Sequence, residues 1–226
     1  MRAAAKAAAD PAYREGARPI IRPVRKLLGT RVPDLKRIAS TWGREHPDVD
    51  PGELRSLVYA LCDGATREEQ ILGIMLLRGL APALRWSDFD RLRRSLDTWE
   101  ATDGLAHYLA EWVAADLTRR SDRLRSMARS RHLWTRRLAV VTASQLNRHG
   151  LGIELTVELV DQVRAERDPM ITKAVSWALR ELAVAAPHTA EEYLERRADE
   201  LPAIAVRETR NKLRTGKKSG RRATDR

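Results

Sequence analysis

Residues 50–80, DPGELRSLVYALCDGATREEQILGIMLLRGL, decide the fold because they encode two helices and the turn that joins them. Asp50 is followed by proline and, three residues on, by glutamate, a pattern typical of a helix start in which a carboxylate binds free backbone N–H groups. Thr66, followed three residues later by glutamate, is a capping box ahead of a second apolar run. The Asp63-Gly64 turn between the two runs is short, which favours an antiparallel helix pair.

The same helical spacing of apolar residues continues along nearly the whole chain, and no segment alternates with the period of two typical of strands. Helices are predicted at residues 33–46, 51–62, 67–80, 88–97, 103–117, 122–130, 133–149, 154–166, 169–186, 189–199 and 202–214. Further predicted N-caps are Ser87, Ser121, Asp168 and Thr189. Short helices with tight turns suit antiparallel pairs stacked side by side, an α-solenoid with a unit of about 35–45 residues. We therefore predict an all-α solenoid; a compact all-α domain is the alternative, because no sharp sequence repeat is visible.

Composition restricts the class of protein and of partner. The 226 residues include 42 Lys and Arg against 31 Asp and Glu, a net charge of +11, with 43% hydrophobic and 32% charged residues. Such a chain is too apolar to be disordered and too charged for a membrane bundle, and its alanine-rich start, interrupted by Lys6, does not resemble a secretory signal. The single cysteine, Cys62, is expected to be a small core residue and fits a reducing cytosol. We expect a cytoplasmic protein with a polyanionic partner.

The two ends differ in composition from the body of the chain. Residues 1–17 are alanine-rich with weak periodicity, and we predict a flexible or frayed segment there. Residues 18–214 carry the regular helical pattern and are predicted to form the domain. Residues 215–226 are basic without an apolar period, which predicts disorder. Such a tail either stays solvated or tethers nucleic acid.

Motifs for metal binding, cofactor binding and nucleophilic catalysis are absent from the sequence. The histidines include no HExxH and no pair four residues apart. Gly150-Leu151-Gly152 lacks a third glycine and a preceding strand, so it is interpreted as a turn rather than a phosphate-binding loop. We therefore expect neither a metal nor a cofactor.

Trp177 does not lie where a core residue should. It is about 120° away from the apolar stripe of its predicted helix, on a face that it shares with Lys173 and Arg180. A tryptophan on a basic face is suited to a ligand rather than to packing. Trp112, by contrast, completes an apolar stripe and is predicted to be core, and Trp134 aligns with apolar positions and is predicted to pack.

Arginines are concentrated around Trp134: Arg129, Arg131, Arg136, Arg137 and Arg148. Arg136 or Arg137 should project from the rim of its helix and bind phosphate. Trp99 lies four residues before Asp103, and Asp103 precedes an apolar period that starts at Leu105. On pattern alone, Asp103 is an N-cap. The pattern assigns no role to the remaining tryptophans, Trp42 and Trp86.

Three short segments occur in the order W-x-x-x-D, W-x-x-R and K-A-x-x-W-x-L-R-E. They are Trp99-Glu100-Ala101-Thr102-Asp103, Trp134-Thr135-Arg136-Arg137 and residues 173–181, with weaker similarity extending from Leu28 to Thr209. Together they resemble the AlkD-type DNA glycosylases of the DNA alkylation repair family. Two positions depart from that pattern: residues 18–23 hold no aromatic where the family often places one, and Glu100 stands where aspartate is commoner, a change expected to be without consequence.

The resemblance implies a HEAT-like solenoid whose concave basic groove holds duplex DNA. It implies that Asp103 is the catalytic carboxylate, that Trp99 and Trp177 flank it, and that Arg137 binds a backbone phosphate. The further candidate phosphate ligands are Arg136, Lys173, Arg180 and Arg148. Such enzymes excise cationic N3- and N7-alkylated purines, for example 3-methyladenine and 7-methylguanine, without a metal or a base-flipping pocket. We expect this chain to do so as a monomer in base excision repair.

Two other functions stay open at this point. A non-catalytic helical-repeat protein that binds or scaffolds DNA would keep the basic groove but would release no base. A protein–protein adaptor built from HEAT repeats fits poorly with the basic face around Trp177. The joint presence of Trp99, Asp103, Arg137 and Trp177 favours the glycosylase.

Overall fold

A computed structural model describes residues 1–21 and 25–219, and within them the regular secondary structure is entirely helical. The one β-type pairing in this part of the chain is an isolated bridge between Lys26 and Thr66. The predicted all-α class is therefore confirmed. Part of the predicted basic tail lies outside the described residues. So does the end of the stretch 18–23, where the sequence lacks the aromatic residue that the family often has.

The chain divides into two compact units, Met1–Tyr108 and Leu109–Arg226. The first contains α1 (Arg2–Ala7), α2 (Pro11–Ile21), α3 (Val32–Glu45), α4 (Pro51–Cys62), α5 (Arg67–Leu80), α6 (Trp86–Leu92) and the start of α7 (Trp99–Ala114), with short 3-10 helices at Ala81–Ala83 and Arg93–Ser95. The second contains the end of α7, α8 (Leu117–Ala128), α9 (Leu133–Asn147), α10 (Ile153–Val163), α11 (Pro169–Ala185), α12 (Pro187–Arg197) and α13 (Ala203–Thr215), with a 3-10 helix at Ala198–Glu200.

In the first unit, α4 and α5 form the most extensive helix contact, and α5 also packs on α3. Glycines make the close approach possible. A Cβ added at Gly73 would come within 2.7 Å of the Cys62 sulfur, and one added at Gly79 would come within 2.8 Å of a Leu54 methyl carbon. Cys62 is buried, as predicted for a small core residue.

In the second unit, the helices pack as stacked pairs. Helix α9 contacts α8, α10 and α11, and α11 contacts α12 and α13. Thus α9, α11 and α13 are consecutive neighbours in one layer, with their sequence partners beside them. The helices of this layer begin at residues 133, 169 and 203, which gives spacings of 36 and 34 residues. This spacing lies at the lower edge of the predicted repeat unit.

Ion pairs between neighbouring repeats show the same period. Arg55 binds Asp88 and Arg67 binds Glu100 in the first unit, while Arg125 binds Glu158 in the second, each across 33 residues of sequence. In stacked repeats, residues one period apart lie side by side. The repeat is not visible as sequence similarity. It is present instead as a series of ion pairs between residues one period apart.

Helix starts test the predicted caps. The Asp50 carboxylate accepts from two backbone N–H groups, Thr66 and its glutamate form the capping box, and Asp168 accepts from the N–H of Met170, so these three are confirmed. The other three predictions were wrong, because Ser87, Ser121 and Thr189 lie inside helices that begin earlier. At α8 the cap is Asp116, which accepts from Arg119 N–H at 3.3 Å.

The amino-terminal segment, predicted to be flexible or frayed over residues 1–17, is helical in α1 and most of α2. Ala5 is buried, and its carbonyl accepts a hydrogen bond of 2.6 Å from the Thr30 hydroxyl. At the other end, α13 closes at Gly216, whose φ of +72° is the left-handed conformation that favours glycine at a helix end. Residues 220–226 of the predicted tail lie outside the described part of the chain.

Candidate functional site

The first turn of α7 presents two of the predicted site residues. The helix begins at Trp99, because the Thr98 hydroxyl accepts from the backbone N–H of Ala101 at 3.3 Å. Asp103 is therefore the fifth residue of the helix and not its N-cap, which corrects the reading from pattern alone. Side chains four residues apart lie on the same helix face, so Trp99 and Asp103 are neighbours there. Both are half-buried.

Glu100 anchors this turn of α7 to α5. Its two carboxylate oxygens accept from Arg67 at 2.9 and 2.5 Å, and the Arg67 side chain, which is fully buried, also donates to the Thr30 carbonyl at 3.0 Å. Burial by itself lowers the pKa of Arg67, but the hydrogen bonds and charge of Glu100, with the charge of Glu68, raise it above its ordinary value. The guanidinium stays charged, and α7 is fixed at the residue between Trp99 and Asp103.

The two arginines of the W-x-x-R segment do not project from the rim as predicted. Arg137 is buried, with 4% exposure, and donates to the Met170 carbonyl at 2.5 Å. Arg136 makes a two-pronged ion pair with Glu166, at 2.8 Å on both prongs. The burial arises because α9 packs against three other helices and this face of it meets the start of α11. Both side chains stabilise the helix stack as it stands in this structure.

Trp177 lies in a small charged cluster on α11. Its indole N–H donates to Glu181 at 2.9 Å, and the guanidinium of Arg148 lies 5.3 Å from the centre of its ring. Arg148 also binds Glu181 at 3.3 Å while its side chain stays 48% exposed. Trp177 is half-buried, outside the fully buried stripe of its helix. One face of the indole is therefore already used to bind a cation.

The two basic neighbours of Trp177 on α11 differ in their surroundings. Arg180 is bound by Glu208 of α13 at 2.7 Å, and its side chain is only 18% exposed. Glu208 also accepts a hydrogen bond of 2.6 Å from Ser176. Lys173 is exposed and forms no ion pair with any residue that the structure describes. Of these two predicted phosphate ligands, Lys173 is the one whose charge is available to a ligand.

Among the other tryptophans, Trp112 departs from its prediction. Trp112, predicted to be core, is half-buried at the edge of the apolar stripe, and the guanidinium of Arg120 covers its ring at 4.1 Å. Trp134 is half-buried at the start of α9. Trp42 stacks on His46 with ring centres 4.4 Å apart, and Trp86 is the first residue of α6. The surplus of tryptophan is thus mostly at helix ends and surfaces.

The structure brings the predicted site residues together in two groups. Trp99 and Asp103 share a face in the first unit, and Arg148 contacts Trp177 in the second. The sequence motifs assigned no such role to the four glutamates that hold the arginines: Glu100 and Glu181, which lie inside the motif segments, and Glu166 and Glu208, which lie outside them. A search for opposite charges about one repeat apart would have found them, since each lies 28 to 33 residues from its arginine.

The residues that the structure describes, 1–21 and 25–219, contain neither a metal-binding cluster nor a membrane-spanning helix. No group of three or more His, Cys, Asp or Glu side chains there is arranged to hold a metal ion. No helix in the same residues is both long enough and apolar enough to span a bilayer.

Comparisons with known proteins agree with the fold and identify the family. A solved structure described as a predicted DNA alkylation repair enzyme from Enterococcus faecalis superposes with a TM-score of 0.77 at 18% sequence identity, over 89% of this chain and 94% of that one. At this identity the likeness shows the fold. No curated protein sequence matched. The sequence model of the DNA alkylation repair enzyme family, however, matches residues 1–213. This chain therefore belongs to the DNA alkylation repair enzyme family.

Proposed function

We propose that this protein is a monofunctional DNA glycosylase that hydrolyses the N-glycosidic bond of N3- and N7-alkylated purines in duplex DNA. The observation that carries the proposal is the pairing of Trp99 and Asp103 on one face of α7, one helical turn apart, in the turn that Glu100 anchors to α5. Membership of the DNA alkylation repair family supplies the context. The net charge of +11 suits a duplex DNA partner.

The alkylated purine is itself a good leaving group, which accounts for most of the ease with which the glycosidic bond breaks. Alkylation at N3 or N7 leaves a positive charge on the purine, so that the base departs as a neutral molecule when it takes the electron pair of the glycosidic bond. Positive charge then develops on the deoxyribose, and water adds to C1′ with loss of a proton. The Asp103 carboxylate stabilises this sugar cation electrostatically. A single well-placed group of this kind contributes about 3–4 kcal/mol to the transition state.

The aromatic residues are proposed to stabilise the same positive charge on the lesion and the sugar. The indole of Trp99 excludes water beside Asp103, which strengthens the field of that carboxylate. The faces of tryptophan rings such as Trp99 and Trp177 attract cations by about 0.5–2 kcal/mol. The Arg148 guanidinium, which lies 5.3 Å from the centre of the Trp177 ring, supports this role as an example of a cation placed against that ring. Ordinary bases are neutral and leave slowly, so the same site spares undamaged DNA.

Phosphate contacts position the duplex. Lys173 is exposed and Arg148 is half-exposed, so both can reach a ligand. Arg136, Arg137 and Arg180 are held by protein groups, and we propose that they contact phosphate only where a backbone oxygen replaces one of those partners.

The decisive experiment compares Asp103→Asn with wild type on a duplex that carries one 7-methylguanine. Loss of the negative charge should reduce base release by about 10²–10³-fold. Asp199→Asn, an exposed aspartate in the last 3-10 helix, is the matched control and should release base at the wild-type rate. Equal release by Asp103→Asn and Asp199→Asn would refute the catalytic role of Asp103.

The same variants separate catalysis from DNA binding. Asp103→Asn should bind an undamaged duplex at least as well as wild type, because the substitution removes a negative charge next to a polyanion. A wild-type protein that binds duplex tightly but releases no alkylated purine would instead be a non-catalytic DNA-binding protein.

A further inference from the structure

The stacked layer of the second unit places equivalent residues of α9, α11 and α13 in one row. The helices begin at residues 133, 169 and 203, and each packs on the next. Their fifth residues are Arg137, Lys173 and Arg207, all cations. Equivalent positions of stacked repeats face the same way, so a row of positive charge follows the layer. None of the three sequence motifs includes Arg207.

The three cations of the row differ in exposure. Arg137 is buried and donates to the start of α11. Lys173 and Arg207 are exposed, and neither is paired with a carboxylate among the residues that the structure describes. An exposed cation without a carboxylate partner is free to bind an anion. The row therefore ends in two available charges on adjacent helices.

Arg207 also lines a concave site. Together with Glu208, Asn211, Lys218 and Ser219 it surrounds a cavity of about 480 Å³. The negative charge of Glu208 is already engaged, since Arg180 lies 2.7 Å and Lys218 lies 3.3 Å from its carboxylate oxygens. The cavity is therefore lined by two cations, Arg207 and Lys218, and by one carboxylate that Arg180 also neutralises, which leaves a net positive site with the Asn211 amide beside it. A phosphate group suits such a site, because it is an anion that accepts hydrogen bonds from cationic and amide N–H groups.

We propose that Arg207, with Lys218, binds a phosphate of the duplex DNA backbone and so extends the contact of Lys173 by one repeat. The inference rests on the proposed function only in that the ligand is duplex DNA. Packed helices lie about 8–10 Å apart, and each nucleotide of one strand advances by about 3.4 Å along the duplex. The two cations would thus bind phosphates separated by about three nucleotides.

The test is the affinity of the full-length protein for an undamaged, fluorescently labelled duplex, measured by anisotropy over a series of salt concentrations. One phosphate contact changes the slope of log K against log salt by about 0.9, which corresponds to roughly 8-fold in affinity near 0.1 M salt. Arg207→Ala should show that loss, and Arg207→Lys should recover most of it. Lys173→Ala with Arg207→Ala should lose about two such steps, since distant contacts add.

Arg196→Ala is the matched control. Arg196 is an exposed arginine on α12, in the other layer, and within the described part of the chain its side chain donates to a carbonyl of its own helix and to no other group. Its removal changes the net charge equally and should reduce affinity by less than about 2-fold. The proposal is overturned if Arg207→Ala binds duplex as Arg196→Ala does, which is also the result expected of a site for free phosphate. The glycosylase proposal is tested separately, because it depends on base release and not on this affinity.

Discussion

The buried ion pair between α5 and α7 gives the sharpest test of how the fold supports the site. The Arg67 side chain is 0% exposed, and Glu100 accepts two of its hydrogen bonds. Glu100→Ala would leave the guanidinium buried, and its remaining partners among the described residues would be the Thr30 carbonyl at 3.0 Å and Glu68 at 3.5 Å. Removing one partner of a buried pair costs about 3–5 kcal/mol. For a chain of this length, that lowers the melting temperature by about 6–20 °C.

Urea unfolding followed by far-UV circular dichroism measures the effect. Asp63→Ala is the control, because its ion pair with Arg91 is exposed, at 48% and 55%, and should contribute less than about 1 kcal/mol. Arg67→Met combined with Glu100→Leu should restore part of the stability, since it removes both charges of the pair. Glu68, which is also buried beside Arg67, keeps the hydrogen bonds that it accepts from the backbone N–H groups of residues 28–30. The reasoning fails if Glu100→Ala lowers the free energy of unfolding no more than Asp63→Ala does.

Three further expectations follow from single contacts. Gly73→Ala should destabilise the protein by about 1–3 kcal/mol, because the new methyl group meets α4 at 2.7 Å, whereas Gly43→Ala in open space on α3 should stabilise it by up to about 1 kcal/mol, as measured by thermal unfolding. Burial raises the pKa of the Cys62 thiol to about 12, so the native protein should resist a thiol reagent at pH 8 and react once unfolded; modification of the native protein at the unfolded rate would contradict this. Glu181→Gln removes the carboxylate that holds Arg148 and should raise duplex affinity and its salt dependence, whereas an unchanged anisotropy titration would show that the guanidinium does not bind phosphate.

The features of the fold that the sequence predicts correctly are those that depend on contacts between residues within one helical turn. Asp50, Thr66 and Asp168 cap their helices through N–H groups two or three residues away, so the sequence contains both partners of each contact. The start of α7 was misplaced for a tertiary reason. Both Thr98 and Asp103 can cap a helix, and the choice of Thr98 places Glu100 within reach of Arg67, 33 residues earlier.

The candidate site follows the same division. The sequence by itself determined the helical class, the net charge and the Trp99–Asp103 spacing, because composition and positions along one helix do not depend on packing. Only the tertiary structure decided which cations are available. Lys173 and Arg180 share one helix face in the sequence, yet Glu208 of α13 neutralises Arg180 and leaves Lys173 exposed. The physical reason is that a charge is paired by whichever residue the next repeat brings beside it, and local spacing does not contain that information.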